Sequence, residues 1–298
     1  MANKILIIED DRLQFRVTER MLANTRMSGL ALDWAQTFEE GLQRLTEGGY
    51  ALCLLDYQLG ERDGLELLRE VRGKGCFTPV IFLTADSSEQ TDDAAMEAGA
   101  SDYLVKGEIS PRLLERSIRY SLKLGDALRE LRLLATRDAL TGLLNRRAFD
   151  ALLAEEVDRA RRLGHPLALV VLDLDHFKTI NDTHGHPTGD TVLAAAARVL
   201  ESEVRSIDRV ARIGGEEFAV VLMETNADEA LAAARRLVEA MRKRTVDIGG
   251  GAKLGFTASA GVAVLSRYGE SEGGLLAEAD QALYTAKRGG RDRAVLAS

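Results

Sequence analysis

The chain has 298 residues, 46% apolar and 29% charged, with a net charge of −8. At roughly 150 residues per domain that length predicts two domains, each with enough apolar material for a buried core. The acidic balance, the lack of any apolar run near the ~18 residues of a membrane span, a start (MANKILIIEDD) without a signal-peptide core and only two cysteines exclude four classes: charge-driven DNA or membrane binders, secreted chains, membrane-spanning chains and disulfide-framework folds. The expectation is a cytoplasmic protein that binds neither DNA nor membrane.

Charge divides the chain. Residues 1–110 carry 11 Lys/Arg against 20 Asp/Glu, residues 111–137 carry 7 against 3, and residues 138–298 carry 21 against 24. An acidic unit, a basic connector and a near-neutral unit follow from these numbers. In the acidic unit four apolar runs, Lys4–Ile8, Ala51–Leu55, Val80–Leu83 and Tyr103–Val105, alternate with helix-like stretches. Such runs predict strands buried on both faces of a parallel, doubly wound sheet, whose functional groups gather at the strands' carboxyl ends. Past those ends stand Glu9, Asp10 and Asp11, then Asp56, Thr84 and Lys106. Converging carboxylates repel unless a cation sits among them, and hard oxygen ligands suit Mg²⁺. A Lys and a Thr hydroxyl beside them suit the oxygens of a phosphoryl group.

Through IIEDD, LLDYQLG, LTA and DYLVK, residues 1–120 resemble a response-regulator receiver domain. The resemblance implies a five-stranded parallel sheet and a phosphoryl group accepted on Asp56 from a cognate histidine kinase. It further implies a metal site of Glu9, Asp10, Asp56 and the backbone of Gln58, phosphoryl contacts from Thr84 and Lys106, and Tyr103 as an aromatic switch. Gly107 stands where the family usually has Pro.

In the connector, Ser110-Pro111 reads as a helix N-cap followed by Pro at the first position. Positions 117, 121, 124, 128, 131 and 135 carry Ser, Ser, Leu, Leu, Leu and Ala at four-three spacing, whose later half reads as the seam of a dimeric coiled coil; the plain alternative is a single amphipathic helix packed on its own domains. A helix over 111–137 is expected, with Gly125 as a candidate hinge.

In the third unit, Leu167–Leu172 ends in Asp173-Leu174-Asp175, and Phe218–Leu222 follows Arg212-Ile-Gly-Gly-Glu216-Glu217. A strand ending in Asp-x-Asp beside a Gly-Gly turn with two Glu reads as a two-metal site, the glycines permitting positive φ and close approach of a phosphate. Asp138-Ala-Leu-Thr-Gly-Leu-Leu-Asn-Arg-Arg, LDLDHFKTINDTHGHPTGD, RIGGEEF and ADQALYTAKRGGR together resemble the GGDEF domain of diguanylate cyclases over residues 138–298. The resemblance implies an α/β cyclase- or palm-like fold and condensation of two GTP into cyclic di-GMP by a homodimer. It implies Mg²⁺ or Mn²⁺ held by Asp173, the Leu174 carbonyl and Glu216, with Glu217 close by and Glu216 also the base. Lys178, Lys287 and Arg291 then contact phosphate, while Asn181, Asp190 and His186 lie at the guanine. Asp292 stands where the family usually has Asn.

Arg205-Ser-Ile-Asp208 resembles the family's RxxD product-inhibition site, with Arg235 or Arg236 as a second arm; the plain alternative is a surface ion pair. His184 and His186, two apart without a third ligand, do not make a zinc site. The functional expectation is a phosphorylation-regulated diguanylate cyclase. The alternative is a catalytically inactive cyclic di-GMP receptor acting through a protein partner.

Overall fold

The computed structural model describes residues 3–27, 29–85, 89–249, 251–265 and 272–297. They form two compact units, the first ending at Leu131 and the second starting at Arg132.

The first unit runs β1 (Asn3–Ile8), α1 (Arg12–Ala23), β2 (Leu30–Ala35), α2 (Phe38–Glu47), β3 (Leu52–Asp56), a ribbon of β4 (Gln58–Leu59) and β5 (Arg62–Asp63), α3 (Gly64–Gly73), β6 (Val80–Thr84), α4 (Glu89–Glu97), β7 (Asp102–Val105) and α5 (Pro111–Thr136). Its main sheet has the order β2-β1-β3-β6-β7, all parallel. Leu52–Leu55 and Val80–Leu83 are buried throughout because helices cover both faces, which is why their sequences are continuously apolar. The four apolar runs correspond to β1, β3, β6 and β7. The fifth strand, β2, was not among them: it lies at the sheet edge and is only partly buried, so Asp33 interrupts its apolar character.

Helix α5 is capped as expected, the Leu113 N–H donating to Ser110 Oγ at 3.2 Å. Its first half buries Leu114, Ser117, Ile118 and Ser121, and Ser117 Oγ donates to Asp102 Oδ2 at 2.5 Å. The upper part of the four-three seam is therefore spent inside the first unit; Leu124, Leu128 and Leu131 remain exposed. Gly125 is not a hinge. The helix runs through it unbroken, and a Cβ there would lie 2.4 Å from the Pro79 ring.

The second unit contains α6 (Arg146–Leu163), β8 (Leu167–Leu174), α7 (Phe177–His184), α8 (His186–Glu203), β9 (Arg209–Arg212), β10 (Glu217–Met223), α9 (Ala227–Lys243), a ribbon of β11 (Thr245–Asp247) and β12 (Lys253–Gly255), β13 (Ala258–Val264), α10 (Glu272–Arg288) and β14 (Ala294–Leu296). Central β8 pairs antiparallel with β10 and β13, in a sheet ordered β14-β13-β8-β10-β9. Strand alternation sends Val170, Leu172, Phe218 and Val220 against α8 and α9, and Leu169, Val171, Ala219 and Val221 against α6 and α10. Gly261 on β13 lets α10 lie directly on the sheet, since a Cβ there would meet the Ala279 carbonyl oxygen at 2.0 Å. No described helix is long and apolar enough to cross a membrane.

Candidate functional site

At the carboxyl edge of the first sheet, ligand atoms of Glu9, Asp10 and Asp56 lie within 4.8 Å of one another. Glu9 and Asp56 are buried, while Asp10 is exposed and accepts from the Gly60 N–H at 2.9 Å, which ties the β4–β5 ribbon starting at Gln58 to the acidic loop. Lys106 reaches in from the end of β7, its Nζ 2.8 Å from Glu9 Oε2 and 3.0 Å from Asp56 Oδ2. Burial pushes the Glu9 carboxyl up to about 7, with Asp56 adding to the rise and Lys106 opposing it. Thr84 ends β6, buried, and Tyr103 is half-buried beside the core around Phe82. Glu9, Asp10, Asp56 and Lys106 thus converge at one edge, Thr84 ends the neighbouring strand β6, and Tyr103 lies further back on β7, in register with Phe82. Three clustered carboxylate oxygens, one of them exposed, fit a hexahydrated hard cation that gives up a few waters.

In the second unit, Asp173 near the end of β8 stands opposite Glu217 at the start of β10, and the Leu174 N–H donates to the Glu216 carbonyl at 3.2 Å. Lys287, in the last turn of α10, places Nζ 2.7 Å from Asp173 Oδ2. Burial raises the Asp173 carboxyl above its usual range, against the pull of Lys287 and Arg291. Burial also raises Glu216, and the charges of Asp173 and Glu217 add to it. The donor set of Asp173, the Leu174 carbonyl and Glu216 is oxygen throughout and suits a hard divalent cation. Among the described residues, however, only Glu9, Asp10 and Asp56 bring three acidic ligand atoms within 4.8 Å.

Two readings of this region change. Neither Gly214 nor Gly215 has positive φ. A Cβ on Gly214 would press on the Glu217 side chain, whose Cβ would lie 3.2 Å away, whereas Gly215 faces open space. Asp175 is buried and used up by structure, accepting from Thr257 Oγ1 and Ser259 Oγ, both at 2.7 Å. Lys178, His186 and Asp190 are exposed around α7 and the start of α8. Asn181 Oδ1 is buried with no partner among the described residues, a polar atom awaiting a donor, and it lies so near Gly189 that a Cβ there would approach to 1.9 Å.

Arg212 and Gly189 were not singled out from the sequence. Arg212 pairs with Asp138 at 3.1 Å and donates to the Gly215 carbonyl at 2.7 Å, gripping the Gly-Gly turn from outside. Its position directly before that turn was the available signal. At the RxxD turn, Arg205 closes on Asp208 (3.0 Å) and also donates to the Met223 carbonyl and Thr225 Oγ1, both at 2.7 Å. Asp208 is 6% exposed. Arg236 pairs with Glu203 at the end of α8 (3.5 Å) and is not joined to Arg205 or Asp208, while Arg235 is exposed.

Residues 135–293 match the diguanylate cyclase GGDEF domain, and residues 5–118 match the response regulator receiver domain. The chain belongs to the GGDEF diguanylate cyclase family. Among curated relatives of this GGDEF chain, the probable diguanylate cyclase DgcC of Escherichia coli K12 is 37% identical over 182 residues, 61% of this chain and 48% of its own length. The diguanylate cyclase DgcP of Pseudomonas aeruginosa is 44% identical over 268 residues, 88% of this chain and 37% of its own. The chain thus spans half or less of the length of these relatives. Among solved structures, the coiled coil and GGDEF domain of DgcB from Caulobacter crescentus, in complex with cyclic di-GMP, matches at 35% identity and a TM-score of 0.56, covering 62% of this chain and 97% of that one.

Proposed function

We propose that this chain is a phosphorylation-regulated diguanylate cyclase, active as a homodimer, that converts two GTP into cyclic di-GMP and two pyrophosphates. The observation that carries the reading is the meeting of Asp173, Glu216, Glu217 and Lys287 at one end of the β8–β10 pair, inside a chain segment that matches the GGDEF family throughout.

The second unit of each copy holds one GTP. The guanine lies toward Asn181 and Asp190 near the start of α8, with His186 at its edge; a carboxylate accepting from the guanine N1–H and N2–H₂ rejects adenine, which has no such donor pair. Lys178, Lys287 and Arg291 offset the triphosphate charge. When bound, Mg²⁺ or Mn²⁺ at Asp173, the Leu174 carbonyl and Glu216 supplies further charge neutralisation. Lys287 leaves Asp173 for phosphate as substrate arrives. Glu216 is the group placed to take the proton from the 3′-hydroxyl, with the metal, when bound, lowering the pKa of that hydroxyl. That oxygen bonds to the α-phosphorus of the GTP on the facing unit, and the bond to pyrophosphate breaks. Two such attacks close the ring, which is why two copies must face each other.

In the first unit, Asp56 accepts a phosphoryl group from a histidine kinase, with Mg²⁺ at Glu9, Asp10, Asp56 and the Gln58 carbonyl, and Thr84 and Lys106 on the phosphoryl oxygens. Tyr103 follows Thr84, and α5 carries the change to the dimer. Cyclic di-GMP inhibits through Arg205 and Asp208, which must first release each other. The decisive experiment incubates the full chain with GTP and Mg²⁺, with and without beryllofluoride, and separates the nucleotides. Cyclic di-GMP that rises with beryllofluoride in the wild type, and not in Asp56→Asn, is expected. Absence of product in both conditions, or equal stimulation of Asp56→Asn, overturns the reading.

A further inference from the structure

The backbone just after α10 has positive φ at three consecutive residues: Gly290 (110°), Arg291 (63°) and Asp292 (50°). For the two non-glycine residues this is the left-handed region that L side chains rarely adopt, and such conformations persist only where the surroundings hold them. Here the surroundings are specific. The Asp292 N–H donates to Asp175 Oδ2 at 3.1 Å, on the same buried carboxylate that takes Thr257 and Ser259. From α9, Arg242 grips Asp292 twice, Nε to Oδ2 at 2.6 Å and a terminal nitrogen to the Asp292 carbonyl at 3.2 Å. Glu239, one turn earlier on α9, pairs with the same guanidinium and holds it ready. Arg293 Nε donates to the Arg291 carbonyl at 3.0 Å.

This turn carries Arg291, whose positive charge only weakly opposes the burial that raises Asp173. Its anchor, Asp175, follows Asp173 by two residues, so the turn is fastened to the same strand end that carries the candidate centre. The other fastening depends on charge. Asp292 Oδ1 is buried without a partner among the described residues, so the carboxylate relies on Arg242 at its other oxygen. A neutral Asn at 292, the usual residue of the family at this place, needs no such cation.

We propose that Arg242 is a positioning residue for Arg291: its two-point grip on Asp292 holds the left-handed turn and thereby sets the affinity of the site for the GTP triphosphate. The inference rests on the cyclase reading above. It makes Asp292 dependent on Arg242, a dependence that a neutral Asn at 292 removes, so Asp292→Asn alone is expected to keep KM and Kd within about threefold of wild type.

The test compares wild type, Arg242→Gln, Asp292→Asn and the double variant in the full chain. Turnover of GTP is measured alongside calorimetric binding of a non-hydrolysable GTP analogue with Mg²⁺, and thermal melting is recorded for each. For Arg242→Gln the KM and the analogue Kd rise about tenfold while kcat stays within about twofold, because substrate binding is lost and the chemical step is not. In the double variant both constants return to within about threefold of wild type, the signature of a coupled pair. A merely structural Arg242 lowers the melting temperature and is not rescued by Asp292→Asn. Unchanged KM and Kd in Arg242→Gln, or a double variant as weak as the single one, overturns the inference. Wild type that makes no cyclic di-GMP sinks the cyclase reading instead, and the analogue-binding arm still decides the role of Arg242.

Discussion

Glu9 shows how burial tunes one carboxyl group. Its rise to about 7 means that the folded, metal-free chain keeps a proton which the unfolded chain, at the ordinary value of 4.5, has released. Folding then binds more protons than the unfolded state between those two values. Stability of the metal-free form accordingly falls as pH rises through that window. The same proton competes with a metal, since a protonated carboxyl is a poor ligand. Apparent Mg²⁺ affinity is therefore expected to weaken as pH drops below about 7, approaching tenfold per pH unit. Trp34 reports it: the single tryptophan of the chain donates from Nε1 to the Glu9 carbonyl at 2.8 Å and stacks on Phe15. A fluorescence titration that gives the same affinity at pH 8 and pH 6 rules this out. Asp173 is the parallel case in the second unit, where burial raises the carboxyl while the ion pair with Lys287 opposes the rise.

Helix α5 shows why spacing alone misassigns a face. Positions 117, 121, 124, 128 and 131 obey one four-three rule, yet Ser117 and Ser121 are 2% exposed whereas Leu128 and Leu131 are 44% and 61% exposed. The small residues serve close packing on the first unit, and Gly125 belongs with them through its contact with Pro79. Replacing Gly125 with Ala gains about 1 kcal/mol of helix propensity. The clash with a rigid ring costs about 1–3 kcal/mol. Net loss of about 1 kcal/mol by urea denaturation is expected. A hinge glycine would instead give a more stable protein on substitution. Among the strands, β1, β3, β6 and β8 were legible because burial on both faces demands unbroken apolar sequence. Edge strand β2 was not, because partial burial left room for Asp33 to interrupt it, whereas the other edge strand, β7, kept the apolar run Tyr103–Val105.

At the scale of the whole molecule, α5 leaves Leu124, Leu128 and Leu131 exposed, together with Tyr120, Leu133 and Leu134, and the proposed homodimer would use the first three as its seam. The proposed reaction between two facing copies predicts that specific activity climbs with protein concentration. Leu128→Glu with Leu131→Glu is expected to move that climb to at least tenfold higher concentration, since two charges on an apolar seam oppose pairing. Activity assays over a dilution series, paired with light scattering, measure both effects. Activity per chain that is independent of concentration in wild type and variant alike would remove the dimer from the mechanism.

The sequence by itself determined which residue types stand at the strand ends of this protein. Carboxylates, lysines and glycines at strand ends are local in the chain, and their types state what they can bind. It also determined the doubly wound sheet of the first unit, because period and apolar continuity are local as well. Tertiary structure alone decided which of these residues are free to act. Asp175 looked equal to Asp173 in the Asp-x-Asp pair, but Thr257 and Ser259, more than 80 residues further on, claim its carboxylate. Arg212 finds its use only when the chain brings Asp138 back beside β9. Arg242 and Asp292, 50 residues apart, meet because α9 and the end of α10 pack near the same edge of one sheet. Partners fixed by long-range packing leave no local trace, and so the division of labour between structural and reacting groups was visible only in the fold.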